Sequence, residues 1–295
     1  MAKLITPLLK TRLIRTVWST KIKRKLCYSG LFSNYCWNNI NPSFIIGTGR
    51  MGTKFLAYFF NTCFKNTVSL HEPSPILFNT ATDFLNNRIS LKDAMKSYDI
   101  QRIEICNSLN KKKIKNYIES NHNLSDIIPV VNAFYDNVKF IYIIRNGVDV
   151  VRSYYSKLNP KNDDSIDKKL ITKVITDRIN IYSNSISLFE CACRIWVTRN
   201  QYIQEYLTND IDCITIRFED IFNNKHKGIY DIIDFLDLND ELKITKNEIS
   251  QFFSKKMNRN KKYLLPETFE KWPEEKKEIF INTCGEYMEK MGYTF

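Results

Sequence analysis

The sequence predicts an α/β fold, a three-layer sandwich in which helices cover both faces of a mostly parallel central sheet. Two observations carry that expectation. Short apolar runs recur along the chain: SFIIG over 43–47, VKFIYII over 138–144 and CITIRF over 213–218. Each has the length of a buried strand, and each is followed by a stretch with helical spacing. Parallel neighbours need a crossover, and a crossover helix must bury its apolar side on the sheet, so alternating strands and helices build such a sandwich.

The elements follow in order. Residues 1–40 read as a basic extension, and Asn41-Pro42 marks entry into a domain over 41–295. The strand at 43–47 leads through a glycine-rich turn into an apolar helix from about Thr53 to Cys63, and Thr67–Leu70 is a second short strand. Residues 80–120 are polar, rich in Lys and Asn, and read as helical. The strand at 138–144 is followed by a helix over Gly147–Lys157. A stripe of Ile179, Tyr182, Ile186, Phe189, Cys193, Trp196, Ile203 and Leu207 predicts one long helix with a core-facing side. After the strand at 213–218 comes a helix over Tyr230–Phe235. The last helix is marked at both ends, with Pro273, Glu274 and Glu275 at its start and Gly292 at its stop.

Composition narrows the function classes. The chain has 44 Lys and Arg against 32 Asp and Glu, but residues 1–71 hold eleven of those basic residues and no acidic one. The remaining 224 residues are nearly balanced, with 33 basic and 32 acidic. A nucleic-acid binder spreads its basic stripe over the folded surface, so nucleic acid is not an expected partner. A hydrophobic content of 43% is ample for a packed core. The eight cysteines form no C-x-x-C pair and no cluster at zinc spacing; they read as mostly free thiols in a reducing, cytoplasmic setting, with no metal site. No apolar run approaches the ~20 residues that span a bilayer, and Lys10 and Arg12 interrupt any signal-peptide core. Residues 4–18 mix apolar and basic side chains, which fits a solvated extension, a transit peptide, or a helix making peripheral contact with an anionic membrane.

The chemistry concentrates in two places. In Phe44-Ile45-Ile46-Gly47-Thr48-Gly49-Arg50-Met51-Gly52-Thr53-Lys54, a strand turns sharply into a helix start. Glycines let backbone approach an anion, and the helix N-terminus offers free N–H groups and a positive dipole end. Arg50 and the Thr53 hydroxyl add a charge and a donor. A nucleotide triphosphatase would need Lys directly after the second glycine of its loop; here the order is Gly52-Thr53-Lys54, which disfavours ATP–magnesium chemistry. The second place is the strand ending in Arg145, whose following helix presents Ser153 eight positions on. A planar guanidinium and a hydroxyl are suited to phosphate oxygens.

These two segments, about 95 residues apart and in this order, resemble those of the sulfotransferases that use 3′-phosphoadenosine-5′-phosphosulfate (PAPS). Arg50-Met51-Gly52-Thr53-Lys54-Phe55-Leu56 is similar to their 5′-phosphosulfate loop, and Lys139–Tyr155 is similar to their 3′-phosphate segment. The resemblance extends over 43–295. Arg217-Phe218-Glu219-Asp220 looks like the family's R-[YF]-E-D segment, and the basic stretch Lys255–Lys262 sits where relatives close a loop over the 3′-phosphate and adenine. It implies a P-loop NTPase-like fold, PAPS as donor with PAP as product, and no metal. Gly49, Arg50, Met51, Gly52, Thr53, Lys54, Arg145, Ser153, Arg217 and Lys262 would hold the donor.

Sulfuryl transfer needs a base beside the acceptor. Glu72 follows a short strand, 22 residues after Arg50, a spacing similar to that of the catalytic Glu in tyrosylprotein and Golgi carbohydrate sulfotransferases. His122 is the alternative base, 23 residues before Arg145, near the place where cytosolic relatives use a His. The expected function is sulfuryl transfer to a hydroxyl or amine of a small-molecule or glycan acceptor. The alternatives are a P-loop-like kinase and a non-catalytic protein that binds PAPS or PAP.

Overall fold

The computed structural model describes residues 37–159, 186–207, 210–223, 226–254 and 263–295. Five parallel strands form one sheet in the order β2-β3-β1-β4-β5. They are β1 (Asn41–Ile46), β2 (Thr67–His71), β3 (Asn116–Ser120), β4 (Lys139–Ile144) and β5 (Cys213–Arg217). The predicted α/β sandwich with a parallel sheet is what the chain forms.

Chain direction assigns the faces. The step from β1 to β2 runs toward one edge of the sheet, whereas those from β2 to β3, β3 to β4 and β4 to β5 run the other way. With right-handed crossovers, connections in opposite directions fall on opposite faces. The first crossover carries α1 (Thr53–Cys63). The others carry α2 (Phe78–Leu85), α3 (Leu91–Lys111), α4 (Ile128–Phe134), α5 (Gly147–Leu158) and α6 (Leu188–Tyr206). After β5 come α7 (Phe218–Phe222), α8 (Lys227–Phe235), α9 (Lys246–Ser254) and α10 (Glu274–Lys290). Helix α9 joins α1, with the Phe253 ring 4.9 Å from Phe55 and 5.0 Å from Phe59. Helix α10 packs near α6, where the Tyr287 and Trp196 rings lie 5.6 Å apart. Among the described residues no helix is long and apolar enough to cross a membrane.

Two expectations need correction, and a third holds with one exception. The stretch 80–120 is not helical throughout, because its last part is β3, the strand between β2 and β1. Asn-Tyr-Ile-Glu-Ser carries no apolar run, yet all five residues are buried. Their polar groups are paired inside the protein. Asn41 donates from Nδ2 to Asn116 Oδ1 at 3.1 Å. Glu119 takes two hydrogen bonds from the Arg102 guanidinium, at 2.6 and 2.7 Å, with both side chains fully buried. Tyr117 and Asn121 complete that carboxylate's partners at 2.7 and 3.2 Å.

The long helix expected from Ile179 begins at Leu188 instead. Ser187 caps it by accepting from the Glu190 amide at 3.1 Å, a start signal that outweighs the stripe upstream. Phe189, Cys193, Trp196 and Ile203 are buried as expected, whereas Ile179 and Tyr182 lie outside the described residues. Finally, the reading of mostly free thiols holds for Cys63, Cys191, Cys193, Cys213 and Cys284, but Cys106 is disulfide-bonded. Of the extension, residues 1–36 lie outside the described residues. Trp37 and Ile40 belong to the core, with the Trp37 ring 5.2 Å from Tyr135 and 5.7 Å from Tyr117.

The buried ion pair generates a test. Glu119→Gln keeps size but strands the Arg102 charge, so stability should fall by about 3–5 kcal/mol. Urea denaturation reads this as a lower midpoint at unchanged slope.

Candidate active site

Ligands of open α/β sheets sit beyond the carboxyl ends of the strands, where neighbouring connections diverge. Strands β1 and β4 are adjacent here, and their connections leave in opposite directions. The loop over Gly47–Gly52 and the turn at Arg145 therefore face one another.

The loop has an unusual backbone. Gly49, Arg50 and Gly52 have φ of 92°, 61° and 68°. Glycine takes such angles freely, but Arg50 pays for its own. Three elements hold the shape. Ser125, in the turn after β3, accepts from the Gly47 amide at 3.0 Å and donates to the Gly47 carbonyl at 2.9 Å. The Tyr154 hydroxyl on α5 donates to the Thr48 carbonyl. Arg199 on α6 donates to the same carbonyl at 3.1 Å. A Cβ on Gly49 would collide with the Tyr154 hydroxyl, so the glycine is required sterically as well as conformationally.

Residues from the two phosphate segments meet. Arg50 donates from Nε to Ser153 Oγ at 2.7 Å, and Arg145 donates to the Arg50 carbonyl at 2.8 Å. Asp149 holds Arg145 at 3.1 Å, and the Arg145 guanidinium lies 4.1 Å from the centre of the Phe218 ring. Gly49, Thr53 and Lys54 line the same cleft. Met51 also borders it, but the residue is fully buried and its side chain belongs to the core.

Glu72 and His122 are also brought together. Pairing of β2 with β3 continues one residue past β2, where the Glu72 amide donates to the Ser120 carbonyl at 2.9 Å. That places Glu72 opposite the residues that follow β3. Glu72 Oε1 lies 2.6 Å from His122 Nδ1. The hydrogen bond to His122 holds the carboxyl below its usual range. Burial, the largest influence on His122, lowers its pKa; the bond to Glu72 opposes this, and the Arg199 guanidinium lowers it further. Near neutral pH the pair is thus a carboxylate accepting from Nδ1–H of a neutral imidazole, whose Nε2 has no hydrogen-bond partner among the described residues.

Arg217 is placed elsewhere. It donates to the carbonyls of Met291 and Gly292, both at 3.1 Å, and lies 4.7 Å from the centre of the Tyr293 ring. Glu219 accepts from the Tyr293 hydroxyl at 2.9 Å and the Asn146 amide at 3.1 Å, so this segment fastens the C-terminal tail to the turn after β4. Lys262 lies outside the described residues. The sequence reading passed over Arg152, Tyr154, Lys157, Arg199 and Tyr263, all of which border the cleft. Arg199 had a signal: it falls inside the apolar stripe of α6, three residues after Trp196 and four before Ile203. The cleft measures 1480 Å³, beyond the 300–1,000 Å³ usual for one small ligand, and has space for a nucleotide beside a second substrate.

A parallel α/β sheet thus carries a glycine-rich loop after β1 and a strand-end arginine facing it across one cleft. The sulfotransferase-domain family matches residues 41–290, and the chain belongs to that family. No curated protein matches it in sequence. Solved structures of similar fold include the sulfotransferase domain from the curacin biosynthetic pathway, at 14% identity and a TM-score of 0.49, covering 87% of this chain and 99% of that one. A sulfotransferase from Alicyclobacillus acidocaldarius has 14% identity and a TM-score of 0.49, covering 86% and 97%. A mouse sulfotransferase complexed with PAP has 14% identity and a TM-score of 0.48, covering 84% and 85%.

The loop's dependence on Gly49 is testable. Gly49→Ala should destabilise the fold by about 1–3 kcal/mol, the cost of strained backbone, seen as a lower midpoint in chemical denaturation.

Proposed function

We propose that this chain transfers a sulfuryl group from PAPS to a hydroxyl or amine of a small-molecule or glycan acceptor. The observation that carries the reading is the meeting of Arg50, Arg145 and Ser153 on one cleft with the Glu72–His122 pair. The arginines and hydroxyl suit a doubly phosphorylated donor, and the pair suits proton removal from an acceptor.

The roles divide by chemistry. Arg50, Lys54 and the N–H groups at the start of α1 hold the phosphosulfate, while Arg145 and Ser153 hold the 3′-phosphate. His122 takes the acceptor's proton on Nε2 as the acceptor's oxygen or nitrogen bonds to sulfur. The bond between sulfur and the bridging phosphate oxygen breaks, and its electron pair leaves on PAP. Arg50 and the helix N-terminus offset the charge that grows there. Glu72 keeps the imidazole in its Nδ1–H tautomer.

The donor assignment is tested by calorimetry with PAP and AMP. The parent protein should prefer PAP, and Arg145→Ala should lose about 1.5–3 kcal/mol of PAP affinity, roughly ten- to over a hundredfold, with AMP little changed. Equal PAP affinity in parent and variant would remove Arg145 from the 3′-phosphate.

The base is tested by kinetics. His122→Gln should lower kcat by ~10²–10⁴. Glu72→Gln still accepts from Nδ1–H and should cost less, on the order of tenfold; a loss as large as that of His122→Gln would make the carboxylate the base. The sign of the pH dependence follows from the neutral imidazole. Activity is present above the His122 pKa and lost as pH falls through it, and that pKa lies below the usual value of about 6.5. The acid limb of kcat/KM should therefore fall below pH 6.5.

A further inference from the structure

Arg152 belongs to neither phosphate segment's assigned residues, yet it stands among them. It precedes Ser153 on α5, lines the cleft, and its side chain is only 9% exposed. Its terminal nitrogen lies 3.4 Å from Asp149 Oδ1, while Arg145 holds Asp149 Oδ2 at 3.1 Å. Two guanidinium groups thus share one carboxylate, one on each oxygen. The Tyr263 ring also lies against Arg152, its centre 4.4 Å from the guanidinium carbon. Tyr263 is itself anchored next to α5, because the Leu264 amide donates to Ser156 Oγ at 3.0 Å.

The charges in this corner do not balance. Among the described residues, Arg145 and Arg152 bring two positive charges against the one of Asp149, with Arg50 close by on Ser153. Moreover, Nε of Arg145 and Nε of Arg152 are both buried without a hydrogen-bond partner among the described residues. A buried guanidinium with a long, shared contact and an unused N–H is poorly compensated. A phosphate supplies what is missing: negative charge and oxygens that accept from planar forks. Asp149, Arg152 and Ser153 lie three and four residues apart, hence on one side of the helix.

We infer that Arg152 is a second arginine ligand for the phosphate received by Arg145 and Ser153, with Asp149 spacing the two guanidiniums and Tyr263 fixing the outer one. This rests on the donor reading above, in which that phosphate is the 3′-phosphate. Arg152 is accordingly a specificity-determining residue: it adds affinity for a 3′,5′-bisphosphate and none for a 5′-monophosphate.

The test is titration of the full chain with PAP and with AMP, for the parent, Arg152→Gln, Arg152→Met and Arg145→Ala. Arg152→Gln should weaken PAP at least tenfold while AMP stays within about twofold. Arg152→Met keeps the stem against Tyr263 without the charge; it should show the same selective loss, and it serves if the glutamine variant does not fold. If both variants lose PAP and AMP in equal proportion, or lose neither, Arg152 is a structural residue and the inference is overturned. If the parent itself fails to prefer PAP, the donor reading falls and takes this assignment with it. If the parent prefers PAP, and Arg145→Ala removes the preference while the Arg152 variants keep it, only the role of Arg152 is lost.

Discussion

The carbonyl oxygen of Thr48 is the point on which the site rests. The loop around it runs through positive φ at Gly49, Arg50 and Gly52, a shape that costs energy and would relax if left alone. It persists because Tyr154 and Arg199 both donate to that single oxygen, while Ser125 closes on Gly47 just before it. These groups come from α5, from α6 and from the turn after β3. The loop over Gly47–Gly52, the helix carrying Ser153 and the segment carrying His122 are therefore one mechanical unit. Arg199 is buried in this role, with Asp126 3.8 Å away as its counter-charge, and its field also bears on His122. The residue that shapes the loop over Gly47–Gly52 thus helps keep the imidazole neutral.

How much of this was legible in the sequence follows from how local each signal is. The strand, glycine turn and helix start over 41–63 were readable because each piece is specified by its own residues. The same holds for Arg145 at a strand end and Ser153 on the next helix. Strand β3 was not readable, since its burial depends on partners distant in sequence: Glu119 is acceptable inside only because Arg102 arrives from α3. Without β3, the proximity of Glu72 and His122 was invisible, and the two looked like rivals. The strand pairing that makes them neighbours is a tertiary fact. Arg199 was overlooked for a different reason, because the apolar stripe of α6 drew attention away from the one guanidinium within it.

Segments that resemble one another do not always serve one purpose. Arg217-Phe218-Glu219-Asp220 splits its work here. Phe218 lies under Arg145 and borders the cleft, whereas Arg217 and Glu219 turn to the C-terminal residues 291–293. Docking the tail in this way covers the turn at Asn146, whose amide Glu219 also holds. The far end of the chain thereby supports the start of the helix that presents Asp149, Arg152 and Ser153.

The polar character of β3 has a consequence for how the sheet assembles. Apolar strands can shift along a parallel neighbour by one residue and still bury hydrocarbon, although every side chain then changes face. A shift of β3 would carry Ile118 or Ser120 to the place of Glu119, leaving Arg102 charged and unpaired in the core. The same shift would move the Ser120 carbonyl off the Glu72 amide and separate Glu72 from His122. The Arg102–Glu119 pair thus acts as an alignment key. Misthreaded pairings are penalised between the edge strand β2 and the central strand β1, so the chain reaches its compact state with the acid and the imidazole already facing each other.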